Sequence, residues 1–168
     1  MLDPSLRTVL IVCHANTARS VMAQALLEQM LAARAAHPGI RVRSGGIGSY
    51  ARDGMLPSLD ARIVLREEDI HLEEGAVTST DLKRHRYLIA EADLILTMTA
   101  QQRETVARLP EAWGKALFTL REFAGEAGDI DDPGGEGEAR FRACRDEIRG
   151  CLERSLDRLL ATLLPPVV

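Results

Sequence analysis

Between residues 8 and 20 the chain reads TVLIVCHANTARS. The first five residues are leucine or β-branched, which indicates a strand buried on both faces of a sheet. The next eight are mostly polar, and apolar residues such as Met22, Leu26 and Met30 then follow at helical spacing. The stretch therefore predicts a strand, a tight polar loop and a helix. In open α/β sheets this edge, where strand gives way to helix, binds ligands.

The same alternation of strand and helix continues along the chain. Because alternating strands and helices build parallel sheets with helices on both faces, we expect a three-layer α/β fold with a four-stranded parallel sheet, an N-terminal phosphate-binding loop, and one domain over residues 1–168. The further strands are predicted at residues 40–43, 94–98 and 116–120, and the further helices at 57–65, 81–92, 100–109 and 138–163. Helix-ending signals lie at 37–39 and 165–166. Loops or turns are predicted at 44–48, 66–80 and 125–137.

Composition narrows the functional classes. The 168 residues carry a net charge of −4, which argues against a general affinity for nucleic acid or anionic membranes. No apolar run is long enough for a transmembrane helix, and the N-terminus lacks a signal-peptide pattern. Three widely spaced cysteines, Cys13, Cys144 and Cys151, do not form a disulfide framework. We therefore expect a cytoplasmic protein with free thiols.

Residues 13–20 are suited to binding an oxyanion. Unpaired N–H groups and partial positive charge at a helix N-terminus favour phosphate, and they also favour the thiolate form of Cys13. Arg19 can grip two phosphoryl oxygens, and the Ser20 hydroxyl can donate to the sulfur. Asn16 tolerates the positive φ that a tight loop needs. A cysteine that ends a strand is more often a packing residue, but the Cys-x5-Arg spacing at this junction favours a nucleophile.

A thiolate that attacks phosphorus needs a proton donor for the leaving group. The glycine-rich segment at 125–137 offers Asp129, Asp131 and Asp132, and by position alone all three are candidates. Pro133 restricts the residue before it, which favours Asp132.

The residues quoted above resemble the low-molecular-weight protein-tyrosine phosphatase family, in which a strand leads into a Cys-x-Gly-Asn-x-x-Arg-Ser loop and a helix. The likeness continues through residues 43–46 and 92–99 to Asp132-Pro133, in the family's order along essentially the whole chain. The resemblance implies Cys13 as nucleophile, Arg19 as the residue that binds phosphate and stabilises the transition state, and Asp132 as general acid and then base. It also implies that Asn16 and Ser20 organise the loop, with Ser44 in contact with Asn16.

Some residues depart from the family pattern. Ala15 replaces the loop glycine, which is tolerated if its φ is negative. Ala18 replaces a second loop cysteine, and Val21 replaces a proline. The tyrosines that often follow Asp-Pro are absent.

Substrate specificity is left open between phosphoarginine and phosphotyrosine on proteins. Thr17 stands where tyrosine-specific members usually have an aliphatic residue, and it resembles the bacterial protein-arginine phosphatase branch, as does the run over residues 117–122. Tyr50 is expected to form a pocket wall, and His14 to lie at the pocket rim. An aromatic ring packs equally well on phosphotyrosine or guanidinium.

Two alternative functions use the same loop. An arsenate reductase would need Cys144 or Cys151 to resolve an arsenylated thiol, whereas their spacing on the apolar stripe of the last helix indicates core residues. A non-catalytic phosphate-binding module would need neither the thiolate nor Asp132. The four histidines show no metal-ligand spacing, so no metal or cofactor is expected. The expected partners are phosphorylated proteins, with phosphate or other oxyanions in the loop, and the sequence does not indicate an oligomeric state.

Overall fold

The computed structural model describes residues 5–34 and 39–164. Four parallel strands form one sheet in the order β2-β1-β3-β4, with helices on both faces, so the predicted α/β architecture is confirmed. The strands are β1 (Arg7–Cys13), β2 (Ile40–Gly46), β3 (Leu94–Thr97) and β4 (Ala116–Thr119). The helices are α1 (Arg19–Ala33), α2 (Leu59–Arg66), α3 (Tyr87–Glu91), α4 (Ala100–Ala107), α5 (Leu120–Phe123) and α6 (Glu138–Leu163), with a 3-10 turn at Pro110–Ala112.

The two faces of the central strand β1 belong to separate cores, because successive side chains of a strand point to opposite sides. Val9 and Ile11 pack in the larger core, with apolar residues of α1, α2, α5 and α6. Leu10 and Val12 pack in the smaller core, which includes Ile89 of α3. Burial on both faces explains why β1 is an unbroken apolar run.

Two glycines extend β2 beyond its predicted end. Residues 44–48 were expected to form a turn, but Gly45 and Gly46 still pair with Val12 and Cys13 of β1. A Cβ built on Gly45 would lie 2.5 Å from the Leu82 side chain, so this close approach requires glycine. The prediction of a turn starting at residue 44 was therefore wrong, and the strand brings Ser44 alongside the loop after β1.

The predicted helix over residues 81–92 was also wrong in its first half. Asp81 does not cap a helix: it forms an isolated bridge with Gly46, and its side chain accepts from the backbone N–H of Lys83 at 3.0 Å. This local turn keeps the backbone beside the end of β2, and the helix begins only at Tyr87.

Smaller differences concern element ends. Ser58, not Pro57, immediately precedes α2, and its side chain accepts from the Ala61 N–H. Leu120, predicted as the last residue of β4, begins α5 because Thr119 and Glu122 form a capping box. The predicted helix-ending signals at residues 37–38 and 165–166 lie outside the described residues.

The remaining predicted elements surround the edge of the sheet where ligand binding is expected. Thr99 caps α4, α6 spans the predicted range, and residues 125–137 form a loop. The carboxyl ends of β1, β3 and β4 lie side by side, so the loop after Cys13, the start of α4 and the segment after α5 converge there. Among the described residues, no helix has the length and apolarity to cross a membrane.

Candidate active site

The sulfur of Cys13 accepts hydrogen bonds from its own loop. The backbone N–H of Asn16 donates to Sγ at 3.2 Å, and Oγ of Ser20 lies 2.9 Å from the same sulfur. The Asn16 side-chain amide donates to Ser20 Oγ at 2.7 Å. A Cys13 thiolate has no proton to give, so the Ser20 hydroxyl is the donor to that form of the sulfur. Two donors aimed at one sulfur stabilise a thiolate.

Asn16 holds the loop in shape. Its φ is 60°, as the sequence predicted, and it is only 2% exposed. The backbone N–H of Thr80 donates to its Oδ1 at 2.9 Å, which fixes the orientation of the amide, and its Nδ2 donates to Ser44 at 3.0 Å. The predicted contact between Asn16 and Ser44 is thereby confirmed. Ala15 is not among the described residues with positive φ, so alanine replaces the family's glycine without strain.

Arg19 and Asp132 meet across the fold. The Arg19 side chain is 6% exposed, its Nη1 donates to the carbonyl of Ile130 at 2.8 Å, and its Nη2 lies 4.0 Å from Oδ2 of Asp132. The Asp132 side chain is 62% exposed and accepts from the N–H of Gly134. The anchored Nη1 leaves Nε and Nη2 of the guanidinium for two oxygens of a bound anion.

The three candidate aspartates have different surroundings. The carboxylate of Asp129 accepts from the backbone N–H of Ala100 at 2.9 Å and so caps α4. Asp131 and Asp132 both line a cleft of about 580 Å³ beside Arg19. Of these two, Asp132 is the one whose carboxylate lies next to the guanidinium.

The cleft also has a wall that the sequence reasoning missed. Gln101 and Thr105 of α4 line it, together with His14. The sequence signal for this wall was Thr99, the predicted cap of α4. Because β3 lies next to β1, the first turn of α4, which follows β3, lies at the same edge of the sheet as the loop after Cys13. The sequence reasoning also missed Ile130. Its signal was that it is a single aliphatic residue among aspartates, which indicates a buried anchor.

Two predicted specificity residues lie away from the cleft lining. Tyr50 is 78% exposed, and its ring centroid lies 6.1 Å from that of His14. Thr17 is half-buried, its carbonyl accepts from Ser58 at 2.8 Å, and its hydroxyl has no partner among the residues that the structure describes. Their contact with substrate stays a prediction.

The other two cysteines are packing residues of the larger core. Cys144 and Cys151 are fully buried. Burial raises the pKa of Cys144 to about 12 and also raises that of Cys151. Protonated, inaccessible thiols do not suit the resolving step of an arsenate reductase. Within residues 5–34 and 39–164, no group of three His, Cys, Asp or Glu side chains is arranged to hold a metal.

Comparison with known proteins gives the family. The profile of the low molecular weight phosphotyrosine protein phosphatases matches residues 8–164. A protein-arginine-phosphatase of Geobacillus stearothermophilus is 39% identical over 153 residues, which cover 90% of this chain and 95% of the relative. A probable low molecular weight protein-tyrosine-phosphatase EpsP of Ralstonia solanacearum is 39% identical over 135 residues, or 76% and 79% of the two chains.

A solved structure shows the same fold. The YwlE arginine phosphatase from Geobacillus stearothermophilus superposes with a TM-score of 0.81 at 36% sequence identity, covering 96% of this chain and 98% of the other. Together, the family profile, these relatives and the Cys-x5-Arg loop between β1 and α1 show that the chain belongs to the low-molecular-weight phosphotyrosine protein phosphatase family and is a protein phosphatase.

Proposed function

We propose that the protein removes phosphate from phosphoarginine residues of proteins, with Cys13 as nucleophile, Arg19 as phosphate-binding residue and Asp132 as general acid. The observation that carries the proposal is the polar, carboxylate-bearing cleft beside Arg19, in which Ile47 is the single large aliphatic side chain among the described lining residues. A guanidinium leaving group needs hydrogen-bond acceptors and negative charge, whereas a phenol is better served by apolar walls.

In the first step, the Cys13 thiolate attacks phosphorus. The S–P bond forms as the N–P bond of phosphoarginine breaks, and Arg19 binds the phosphoryl oxygens as charge shifts. Asp132 gives its proton to the departing guanidino nitrogen, so arginine leaves as a cationic guanidinium and a phosphocysteine remains on the enzyme. The 4.0 Å separation between Arg19 Nη2 and Asp132 Oδ2 supports this assignment, because the residue proposed to bind phosphate and the residue proposed to protonate the leaving group are then neighbours.

In the second step, water releases the phosphate. Asp132, now a carboxylate, takes a proton from the attacking water, and the S–P bond breaks to give inorganic phosphate and thiolate. The Ser20 hydroxyl, 2.9 Å from Sγ, stabilises that thiolate as it leaves.

The other predicted residues have supporting roles. Asn16 and Ser44 keep the loop in its binding shape through their 3.0 Å hydrogen bond. His14 lines the cleft, and Tyr50, whose ring centroid lies 6.1 Å from that of His14, contacts the rest of a protein substrate outside the cleft. The free hydroxyl of Thr17 orients the attacking water or contacts the guanidinium.

The working form is a single domain with reduced thiols. The two cores share one sheet, which supports one domain over residues 1–168. All three cysteines are free, and a reactive Cys13 thiolate needs a reducing compartment, which supports a cytoplasmic location.

Phosphotyrosine is the second candidate substrate. The similarity to the EpsP tyrosine phosphatase of Ralstonia solanacearum favours it, as does the exposed ring of Tyr50 near His14, on which a phenol could pack.

Side-by-side kinetics on matched peptides decide between the two. We expect kcat/KM to be higher on a phosphoarginine peptide than on the same peptide with phosphotyrosine, and Cys13→Ser to abolish both activities while still binding phosphate. A Thr17→Ile variant is expected to shift the preference towards phosphotyrosine. A wild-type preference for phosphotyrosine overturns the substrate assignment, and hydrolysis by Cys13→Ser overturns the mechanism. An unchanged preference in Thr17→Ile removes the role given to Thr17.

A further inference from the structure

Arg121 of α5 contacts two residues of the segment that precedes Asp132 and one residue of α6. Its Nη1 pairs with Glu126 at 2.7 Å, its Nε donates to the carbonyl of Asp129 at 3.2 Å, and its Nη2 forms an ion pair with Glu147 of α6. Glu126 in turn pairs with Arg154, also on α6. We call residues 124–133 the acid loop. Arg121 therefore ties the start and middle of the acid loop to two helices of the larger core.

The residues just after this attachment are anchored to the other side of the site. Ile130 is fully buried, its N–H donates to the carbonyl of Met98 at 2.9 Å, and its carbonyl accepts from Arg19. The Asp129 carboxylate caps α4. Residues 129 and 130 thus join α5, α4 and the phosphate-binding Arg19.

Asp132 itself has few restraints. Its carboxylate accepts from the N–H of Gly134, two residues away, and lies 4.0 Å from Arg19 Nη2, while most of the side chain is exposed. The position of Asp132 is therefore set by the anchored residues 129 and 130 before it and by the buried Pro133 after it. Proton transfer requires the acid to lie within about one ångström of its productive position.

We propose that Arg121 is a positioning residue that holds the acid loop so that Asp132 protonates the leaving group. The inference rests on the proposed role of Asp132 and adds a residue outside the cleft. A guanidinium can satisfy three acceptors in different directions, whereas lysine presents a point charge that cannot reproduce them.

The test compares leaving groups. Phenyl phosphate needs protonation of its leaving oxygen, whereas 2,4-dinitrophenyl phosphate departs without it. General acids contribute about 10²–10⁴-fold, so a misplaced acid in Arg121→Met is expected to lower kcat/KM for phenyl phosphate about tenfold and to leave the dinitrophenyl ester within about twofold. If Arg121→Met does not fold, Arg121→Lys takes its place, with the same expectation.

Arg158→Met is the matched control. Arg158 also joins α6 to α5, through the Phe123 ring and carbonyl, but it makes no hydrogen bond or ion pair with residues 124–133 of the acid loop. We expect this variant to show no dependence on leaving group. An equal loss on both esters in Arg121→Met, or the same selective loss in Arg158→Met, overturns the proposal.

The Asp132→Asn background separates this inference from the proposed function. We expect Asp132→Asn to lose activity selectively on phenyl phosphate, and Arg121→Met to add no further selective loss in that background. If Asp132→Asn shows no selectivity, the assignment of the general acid fails. If Asp132→Asn is selective but Arg121→Met is not, or if the two selective losses add in full, only the role of Arg121 fails.

Discussion

Ser20 Oγ lies 2.9 Å from Cys13 Sγ and accepts from the amide of Asn16, so the serine hydroxyl is held where it can donate to a Cys13 thiolate. The direction of the hydrogen bond between Asn16 and Ser20 follows from a backbone donor. The backbone N–H of Thr80 can only donate, so it fixes Oδ1 of Asn16 as an acceptor and Nδ2 as the donor to Ser20. A backbone group of a distant loop thereby determines how the sulfur is stabilised.

Ser20→Ala is expected to slow the second chemical step. Hydrogen bonds to charged groups contribute about 1.5–3 kcal/mol, so loss of the hydroxyl lowers kcat about 10- to 100-fold. The phosphocysteine then accumulates, which rapid-quench experiments detect as a burst of released leaving group. Ser155→Ala is the control, because the buried Ser155 hydroxyl donates to the backbone carbonyl of Cys151 within α6. A Ser20→Ala enzyme with unchanged kcat and no burst would contradict this role.

The loop was predictable from sequence because its requirements are local. A buried strand, a residue that tolerates positive φ and a helix start all lie within residues 8–20, and the structure has Asn16 at φ 60°. The choice among the three aspartates was not local. It depends on Ala100, which engages Asp129, and on Arg19, which lies beside Asp132.

The wrong predictions have the same physical origin. Asp81 has the local pattern of a helix cap, but pairing with Gly46 at the end of β2 takes precedence. Gly45 reads as a turn residue, yet it is required because Leu82 packs against its backbone. Neither contact can be read from neighbouring residues, since both join segments more than thirty residues apart in the printed sequence.

Alkylation of the native protein is expected to modify Cys13 alone. Cys13 is 3% exposed and its Sγ has two hydrogen-bond partners in the anion-binding loop, whereas Cys144 and Cys151 have no exposed surface and have raised pKa values. Iodoacetate is an anion that suits the loop, so one equivalent should react and inorganic phosphate should protect the thiol. Peptide mapping by mass spectrometry checks the site. Cys13→Ser should stay unmodified until urea exposes the other two thiols, and earlier reaction at Cys144 would refute this expectation.

Glu67 is expected to make stability depend on pH below its unfolded-state pKa. Hydrogen bonds from Arg142 and then Arg145 lower the pKa of Glu67 from 4.5 to about 2. A lowered pKa contributes stability that is fully present above pH 4.5 and is lost as the pH falls towards 2. Glu67→Gln should therefore reduce the free energy of unfolding at pH 7, with a difference from wild type that shrinks between pH 4.5 and 2.

Urea unfolding at pH 7, 5 and 3 measures this difference. Glu73→Gln is the control, because Glu73 is exposed and its side chain makes no hydrogen bond or ion pair within the described part of the chain. A Glu67→Gln deficit that is as large at pH 3 as at pH 7 would show that the ion pairs do not cause it.

Asp131→Asn is expected to weaken the preference for phosphoarginine. Asp131 lines the cleft next to Asp132, and its carboxylate has no hydrogen bond or ion pair among the described residues. It is therefore available to a cationic guanidinium. Exposed ion pairs contribute about 0.2–1 kcal/mol, which predicts a kcat/KM about 1.4- to fivefold lower on phosphoarginine peptides and little change on phosphotyrosine peptides.

The ionic strength of the assay tests whether charge causes this effect. Raising the salt concentration screens an exposed pair, so the difference between wild type and Asp131→Asn should shrink as salt increases. Glu136 lies in the same loop but does not line the cleft, so Glu136→Gln removes the same charge and should leave the preference unchanged. If Asp131→Asn lowers activity equally on both peptides, or if Glu136→Gln reproduces its effect, then Asp131 does not recognise the leaving group and the preference arises elsewhere in the cleft.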